Sequence, residues 1–230
     1  LVLWLSSDLD YSDVEAGVFY TAWSTVMTIS TVLVGSLVDA IGLRKALLLG
    51  FLVCLVSRAS LAFADARWLV LTTGFFLVAI GESLLTPVMV AAVRRYTTTA
   101  QRSISFSIFY AMMNAGFAIA SWIFDYVRLK QGEYGHFRVP LFGVELSTYR
   151  TLFLVSFLLT LPNLIIIVLW LRNGVEATDA GVKITPEAPK YPQKNCVSAL
   201  TLAVRDALRE TARIFTGLWF QPTFFKQTTD

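Results

Sequence analysis

Charged side chains are scarce in this sequence. Asp, Glu, Lys and Arg make up 15% of its 230 residues, whereas ordinary soluble domains carry about 25%. The formal net charge of +3 is too small to indicate a nucleic-acid surface, and no basic stripe interleaved with aromatic residues accompanies it. The composition therefore excludes a soluble globular domain and gives no reason to expect a nucleic-acid partner.

Cysteine and histidine are also rare. The two cysteines, Cys54 and Cys196, lie far apart, and the single histidine, His136, has no cysteine or second histidine near it. The sequence therefore predicts neither a disulfide framework nor a zinc site. It also lacks a nucleophile–base pair, a phosphate-binding glycine loop and a cluster of metal ligands. We expect neither an enzyme nor a bound cofactor.

Hydrophobic residues, in contrast, make up 56% of the chain and are concentrated in five long runs. Each run is close to the ~20 residues that an α-helix needs to cross the hydrocarbon core of a bilayer. A helix satisfies all of its backbone polar groups in lipid, so runs of this kind predict transmembrane helices. Residues 1–5 are apolar but too short to span, and we interpret them as the end of a further helix. The predicted spans are about 16–38, 46–64, 68–93, 103–125 and 150–171.

The charges between the runs predict the orientation of an all-α integral membrane protein. The segment before the first run carries four acidic and no basic side chains, whereas the connections at 39–45 and 94–102 carry arginine and lysine. Basic residues are retained on the cytoplasmic side of a membrane. The segments expected outside are 6–15, 65–67 and 126–149, and those expected inside are 39–45, 94–102 and the chain beyond residue 172.

The last part of the chain, residues 173–230, has a different composition. A polar, proline-containing stretch is followed by about 199–216, in which apolar residues recur at helical spacing among charged ones. This pattern predicts an amphipathic helix on the inner membrane face or beneath the bundle. The apolar residues at 217–225 indicate the approach to a seventh span. We therefore divide the chain into a transmembrane bundle, 1–172, and a cytoplasmic linker, 173–230.

The connection between the first two runs carries a distinctive motif. Residues 35–45 read GSLVDAIGLRK, a charged turn bounded by glycines. The turn resembles the loop signature of the major facilitator superfamily, G-x-L-x-D-(R/K)-x-G-(R/K)-(R/K), between the second and third helices. Ala40 and Leu43 stand where that family usually carries basic residues. The matching positions are Gly35, Leu37, Asp39, Gly42, Arg44 and Lys45.

This resemblance implies the amino-terminal half of a carrier, a six-helix bundle whose first helix is mostly absent. The implied partners are a small-molecule solute, with or without protons, the lipid bilayer and the carboxyl-terminal half of the same transporter. The implied mechanism is alternating access around a solute bound near mid-membrane. The motif itself either fixes the topology or acts as a gate. In the gate, Asp39 accepts hydrogen bonds from a helix N-terminus of the other half.

Glu82 is the leading candidate for a transport residue. An ionisable group in the middle of a membrane helix is costly and indicates a functional site. Gly81 precedes it and Pro87 follows it, which predicts a loosened helix at this depth. Glu82 either binds a proton or a cationic group of the solute, or makes a packing hydrogen bond to a neighbouring helix. The first interpretation is favoured because the superfamily's fourth helix lines its central cavity.

Tyr110 and Asn114 form a second candidate pair, one helical turn apart on one face of the fourth run. The segment 106–116 resembles the fifth-helix signature of proton-dependent oligopeptide transporters, F-x-x-(F/Y)-(Y/W)-x-x-(I/V)-N-x-G. The resemblance implies that the pair contributes to solute or proton binding. The alternative is an asparagine that bonds one helix to another, worth about 1 kcal/mol or less. Gly116 is interpreted as a close-packing position.

Arg58 lies near the outer end of the second run. A long basic side chain there can extend to the membrane surface, and we favour this interpretation. The alternative is that Arg58 pairs with Glu82 or with an anionic solute.

A stripe of hydroxyl-bearing residues follows one face of the first run. Such hydroxyls commonly bond to carbonyl groups of their own helix, so packing is favoured over a pore-facing role. The residues are Tyr20, Ser24, Thr28 and Thr31.

Two positions depart from the family patterns. The lysine that peptide transporters usually carry in this helix has no counterpart, since Thr86 precedes Pro87, and this departure weakens the case for a peptide as the solute. Phe75 occupies the position at which the superfamily's fourth helix usually carries an arginine tied to proton coupling. Because of this missing arginine, a transport-inactive receptor or scaffold of the same fold is the alternative to a transporter.

Overall fold

The structure, a computed structural model, describes residues 2–132, 135–139, 144–171, 175–178 and 181–184, with short groups of residues between 198 and 217. Long helices dominate these residues. The helices are α1 (Val2–Asp8), α2 (Asp13–Ile41), α3 (Leu43–Phe63), α4 (Arg67–Tyr96), α5 (Arg102–Gln131) and α6 (Thr148–Trp170). The strands are β1 (His136–Val139), β2 (Val144–Ser147), β3 (Val175–Thr178) and β4 (Gly181–Ile184).

Helices α3 to α6 are each long and apolar enough to cross a membrane. Helix α2 is 29 residues long and begins with a capping box: Ser12 Oγ accepts the N–H of Glu15, and the Glu15 carboxylate accepts the N–H of Ser12. These hydrogen bonds from the Ser12 side chain and backbone lower the pKa of the Glu15 carboxyl group.

Gly42 alone separates α2 from α3. Its φ of 86° and ψ of 158° lie where only glycine is comfortable, and its N–H closes α2 on Val38 O at 2.8 Å. The turn predicted at 39–45 is therefore a single residue, because α2 continues to Ile41 and α3 begins at Leu43. The motif carries glycine at this second position because the chain reverses direction within one residue and needs a positive φ there.

The connections after α3 and α4 are also short, so consecutive helices alternate in direction. Residues 64–66 join α3 to α4, and residues 97–101 join α4 to α5. The alternation brings together, at the end predicted to be cytoplasmic, a set of basic residues at helix ends. These are Arg44 and Lys45 in the first turn of α3, Arg94 and Arg95 in the last turn of α4, and Arg102 at the start of α5.

Helices α3 and α4 pack closely and antiparallel through glycines. Each glycine sits against a side chain of the partner helix, and an added Cβ would lie under 3.0 Å from it. Small residues allow membrane helices to approach closely and gain dispersion contacts. The facing pairs are Gly50 with Leu85, Cys54 with Gly81, and Leu61 with Gly74.

Two apolar clusters lie toward opposite ends of the bundle. The cluster at the end predicted to lie outside, here called the outer cluster, joins α1 and α2 to α3, α4 and α6. The cluster at the end predicted to be cytoplasmic, here called the inner cluster, joins α2, α3, α4 and α6. The buried members of the outer cluster include Trp4, Leu5, Leu61, Val70, Phe75 and Tyr149. Those of the inner cluster include Val34, Leu43, Leu47, Leu84, Val88 and Ile167.

The helix ladder of α4 departs from α-geometry at Val70–Phe76, which form a π-helix. The irregular backbone predicted around Gly81 and Pro87 lies instead nearer the start of α4, since Leu77–Tyr96 is α-helical through Pro87. Gly74 lies inside the π segment against Leu61, so close packing and irregular backbone coincide there.

Two antiparallel hairpins were not predicted. Strands β1 and β2 pair from His136↔Ser147 to Val139↔Val144, within the segment 126–149 expected to be an outer loop. Strands β3 and β4 pair from Val175↔Ile184 to Thr178↔Gly181, in the expected linker. Four-residue strands carry too little alternation to be recognised beside runs of 20 apolar residues. Ten of the 18 residues of the predicted linker helix, 199–216, are described, and all ten are helical. Of the segment 217–225, only Gly217 lies within the described residues.

Candidate polar site between three helices

Arg58 of α3 and Glu82 of α4 form an ion pair inside the bundle, with Arg58 Nη2 3.5 Å from Glu82 Oε1. Glu82 is the sixteenth of the 30 residues of α4, which places it near the middle of the span. The guanidinium of Arg58 is directed toward this depth. The expectation that Arg58 extends to the outer surface is wrong, and the alternative pairing with Glu82 is the one observed.

Thr160 of α6 completes the cluster. Its Oγ1 accepts a hydrogen bond from Arg58 Nη1 and donates one to Ser156 O at 2.7 Å. Thr160 is 2% exposed and lies at the thirteenth of the 23 residues of α6, again near mid-span. The cluster therefore links α3, α4 and α6 at one depth.

The described residues cover the two charged side chains only in part. The side chain of Arg58 is 22% exposed and that of Glu82 is 38% exposed. A partly buried ion pair loses much of its Coulomb gain to desolvation, but removing one partner leaves a charge that nothing compensates. The pair is thus a neutral unit inside the membrane span, and its more exposed member is the carboxylate.

The neighbouring polar groups are already bonded within their own helices. Ser57 Oγ donates to Cys54 O at 3.1 Å, and Ser83 Oγ donates to Ile80 O at 2.8 Å. Cys54 is fully buried beside Gly81. The hydroxyl hydrogens of Ser57 and Ser83 are therefore used within their own helices, whereas Arg58, Glu82 and Thr160 are joined across helices.

Tyr110 and Asn114 lie elsewhere. Both are exposed on α5, a helix with no buried residue among those described. Tyr110 stacks on Phe106 of its own helix, with ring centroids 6.5 Å apart. Among the described residues, no contact joins Tyr110 or Asn114 to Glu82. A Cβ added at Gly116 would meet nothing within 4 Å, so Gly116 does not pack closely against any of the described residues.

The hydroxyl stripe of α2 bonds to its own helix, as the favoured interpretation requires. Thr28 Oγ1 donates to Ser24 O at 2.9 Å, and Thr31 Oγ1 donates to Met27 O at 2.8 Å. Tyr20 instead stacks on Trp23 at 5.6 Å.

In the loop motif, Arg44 has a contact that sequence reasoning missed. Its Nη2 donates to Val168 O at 2.8 Å, which satisfies one of the last carbonyl groups of α6, where cations are favoured. Lys45 is exposed. Gly35 and Asp39 lie in the last turns of α2, and the side chain of Asp39 is outside the described part of the structure.

Phe75 is fully buried. Its ring lies between those of Trp4 and Trp23, with both centroid distances 6.3 Å, and it meets Phe76 edge-on at 5.3 Å. An arginine in place of Phe75 would find no acidic partner among these aromatic rings. The position occupied by arginine in the resembling family is here part of the core.

Sequence reasoning also missed Thr160 and the outer contacts of Arg150. Arg150 donates to Asp65 Oδ1 at 2.7 Å and to Ala64 O at 3.0 Å, which ties the start of α6 to the turn after α3. The signal for Thr160 was a hydroxyl in the middle of a strongly apolar run, but nothing in the sequence says which helix it faces.

Comparison with known proteins gives a consistent picture. A family model described as the Major Facilitator Superfamily matches residues 1–226, and no curated protein matches the sequence. A crystal structure of the peptide transporter POT aligns with a TM-score of 0.60 and 20% identity, covering 98% of this chain and 44% of that one. A bacterial homologue of the human drug peptide transporters PepT1 and PepT2 aligns with a TM-score of 0.62 and 19% identity, covering 99% and 51%.

A third structure, tetrameric PepTSo2, aligns with a TM-score of 0.58 and 18% identity, covering 94% of this chain and 46% of that one. This chain therefore spans about half the length of the solved structures that it matches. At such identities the likeness establishes the arrangement of the helices.

Proposed function

Because this chain belongs to the major facilitator superfamily and is a multi-pass membrane protein, we propose that it carries a small organic solute across the membrane by alternating access. The chain supplies residues 1–172 as one bundle and residues 173–230 as the linker to a seventh span and a second bundle. The carrier is driven by a proton gradient or by the gradient of the solute itself. The peptide transporters with a similar fold support an organic solute.

The observation that carries this proposal is the ion pair of Arg58 with Glu82. An ionisable residue at mid-membrane is expensive unless it faces a cavity or a partner, and such residues mark solute and proton pathways. Glu82 has a partner in Arg58, and the described residues leave 38% of its side-chain surface uncovered. We infer that the uncovered side of this carboxylate faces the solute pathway between the two bundles, where it can exchange a proton or contact a solute.

The test is uptake by proteoliposomes containing the complete carrier, with and without a pH gradient, over a panel of small solutes that includes dipeptides. Glu82→Gln keeps the shape of the side chain but cannot exchange a proton. We expect it to lower uptake by about tenfold or more, the equivalent of one charge-assisted hydrogen bond. Asp125→Asn is the matched control, because Asp125 is an exposed acidic residue nearer the outer end of α5.

Equal uptake by wild type and Glu82→Gln would remove Glu82 from the transport pathway. A drop in the Asp125→Asn control as large as that in Glu82→Gln would show a general sensitivity to lost carboxylates. Membrane insertion of each variant is measured in the same preparations, so that lost protein is not mistaken for lost transport.

The loop motif is the proposed gate of this carrier. Gly35, Gly42 and Lys45 shape the turn and hold it on the cytoplasmic side, and Asp39 contacts the second bundle. Arg44 also bonds to α6, so a change at the turn can be passed to another helix of the same bundle.

A transport-inactive receptor or scaffold of the same fold is the second candidate. The observation that favours it is Phe75, which fills the arginine position of the superfamily with a buried aromatic ring. The same panel separates the two functions: a folded, inserted protein that moves none of the solutes under any gradient favours the receptor.

A further inference from the structure

The inner ends of α4 and α5 lie at the depth of lipid headgroups. Each of these helices has 30 residues, which corresponds to about 45 Å at ~1.5 Å of rise per residue. The hydrocarbon core of a bilayer is only ~30 Å thick, and the headgroup regions bring the total to about 40–45 Å. Arg94 and Arg95, in the last turn of α4, and Arg102, the first residue of α5, are therefore placed among the headgroups of the leaflet predicted to be cytoplasmic.

The start of α3 belongs to the same surface. Leu43 is buried in the inner cluster, and Tyr96 at the end of α4 packs against that cluster. Arg44 follows Leu43 and Arg95 precedes Tyr96, so both arginines are brought to the edge of the same cluster. A short turn then leads from α4 to α5. We call this surface the inner basic surface, and its members are Arg44, Lys45, Arg94, Arg95 and Arg102.

The positive charge of the inner basic surface is not balanced by acidic residues nearby. The segments 39–45 and 94–102 contain five basic residues and one acidic residue, Asp39. The hairpin 175–184, whose strand β3 lies against α4, carries two acidic residues and one basic residue. An excess of three positive charges remains even when the hairpin is included, so the surface requires an anionic partner.

Two arginine nitrogens at this surface are buried without an acceptor among the described residues. They are Nε of Arg44 and Nε of Arg102. A buried donor that makes no hydrogen bond is costly, whereas the planar fork of arginine N–H donors matches the oxygens of a phosphate group. The described residues also leave the side chains of Lys45 and Arg94 exposed. The surface therefore has both unused donors and uncovered charges to offer to a phosphate.

An exposed tryptophan indicates that the neighbour of this surface is lipid. Trp170 is the last residue of α6 and is 78% exposed. It lies close along the chain to Val168, whose carbonyl oxygen accepts a hydrogen bond from Arg44 Nη2. Tryptophan is enriched at the boundary between headgroups and hydrocarbon. A phosphate beside this residue is therefore expected to belong to a phospholipid.

We propose that the inner basic surface binds an anionic phospholipid of the cytoplasmic leaflet, whose phosphate group is held by Arg94 and Arg102 at the turn between α4 and α5. Arg44 and Lys45 strengthen the positive field from the start of α3. Basic residues at the cytoplasmic surface of a membrane attract anionic lipids, and basic pockets between helices bind their headgroups. The bound phosphate joins α5, which has no buried residue among those described, to the rest of the bundle.

The test measures thermal unfolding of the complete protein in a neutral detergent. The probe is phosphatidylglycerol, and phosphatidylcholine with the same acyl chains is the matched lipid without net charge. We expect phosphatidylglycerol at about ten times its dissociation constant to raise the unfolding midpoint by about 2–4 °C, and phosphatidylcholine to raise it by much less. Inorganic phosphate at matched ionic strength supplies the same chemical group without a lipid, and it is expected to have no such effect.

Variants locate the site on the protein. Arg94→Gln combined with Arg102→Gln removes the two proposed phosphate ligands, and it should weaken the binding of phosphatidylglycerol by about 20-fold, since each basic residue near the membrane surface contributes about fivefold. Arg94→Gln alone, with an expected loss of about fivefold, serves if the combined variant fails to fold, because that side chain is exposed. Arg67→Gln combined with Lys130→Gln is the matched control, since it removes two positive charges at the opposite ends of α4 and α5.

Equal stabilisation by the two lipids, or an equally large loss of binding in the inner variant and the outer control, would overturn the proposal. Stabilisation by inorganic phosphate as large as that by phosphatidylglycerol would overturn it too, because the surface would then hold a free anion. Binding is measured without a solute or a gradient, so the result is independent of the proposed transport function.

Discussion

Replacement of Gly81 by alanine is expected to separate α3 from α4 at the depth of the ion pair. A Cβ at this position would lie 2.6 Å from Cys54 Sγ, 3.1 Å from Cys54 N and 3.2 Å from Val53 Cγ1. Carbon and sulfur normally approach no closer than about 3.5 Å, so the helices must move apart by most of 1 Å. Overpacking of this size costs about 1–3 kcal/mol.

Alanine also stabilises a helix relative to glycine by up to about 1 kcal/mol, which offsets part of that cost. The net loss expected for Gly81→Ala is therefore about 1–2 kcal/mol. The closest contact is with a side chain, so Cys54→Ala should relieve it. We expect the double variant to be more stable than the sum of the two single changes predicts, by about 1 kcal/mol.

The assay is reversible unfolding in mixed detergent micelles, followed by tryptophan fluorescence. Gly17→Ala is the matched control, because a Cβ there would meet nothing within 4 Å, and it should leave stability unchanged or slightly raised. A Gly81→Ala protein as stable as wild type would refute the close approach of the two helices. So would strict additivity with Cys54→Ala.

Two further predictions concern residues that join helices. Thr160→Val removes the acceptor for Arg58 while it keeps the shape of the side chain, and it should lower the free energy of unfolding by about 1–3 kcal/mol. Thr160→Ser, which keeps the hydroxyl, should recover most of that loss, and equal losses in both variants would contradict the assigned hydrogen bond. Arg44→Gln should destabilise the end of α6 by about 1 kcal/mol, measured as faster amide hydrogen exchange in its last turn. Lys45→Gln is the control, and equal exchange in the two variants would contradict the contact with Val168.

The sequence predicted the long helices well because each depends on local composition. A run of about 20 apolar residues has one stable conformation in lipid, and a glycine beside charged residues is enough to indicate the reversal at Gly42. Glu82 was also found from the sequence alone, since a carboxyl group at mid-span is conspicuous.

The partners of these residues could not be predicted, because they depend on which helix faces meet. Arg58 lies near a helix end, and its sequence neighbourhood is equally compatible with extension outward or inward. Only the packing of α3 between α4 and α6 brings it to Glu82 and Thr160. The two hairpins were missed for a different reason, since their pairing is set by chain reversal rather than by hydrophobic pattern.

The most direct test of this structure is a double-mutant cycle on the ion pair, with the free energy of unfolding as the readout. Arg58→Gln and Glu82→Gln each leave one charge without its partner, and each should cost about 1–3 kcal/mol after allowance for partial exposure. The combined variant removes both charges, and it is predicted to be more stable than either single variant. A combined variant whose loss equals the sum of the two single losses would contradict the pairing of Arg58 with Glu82.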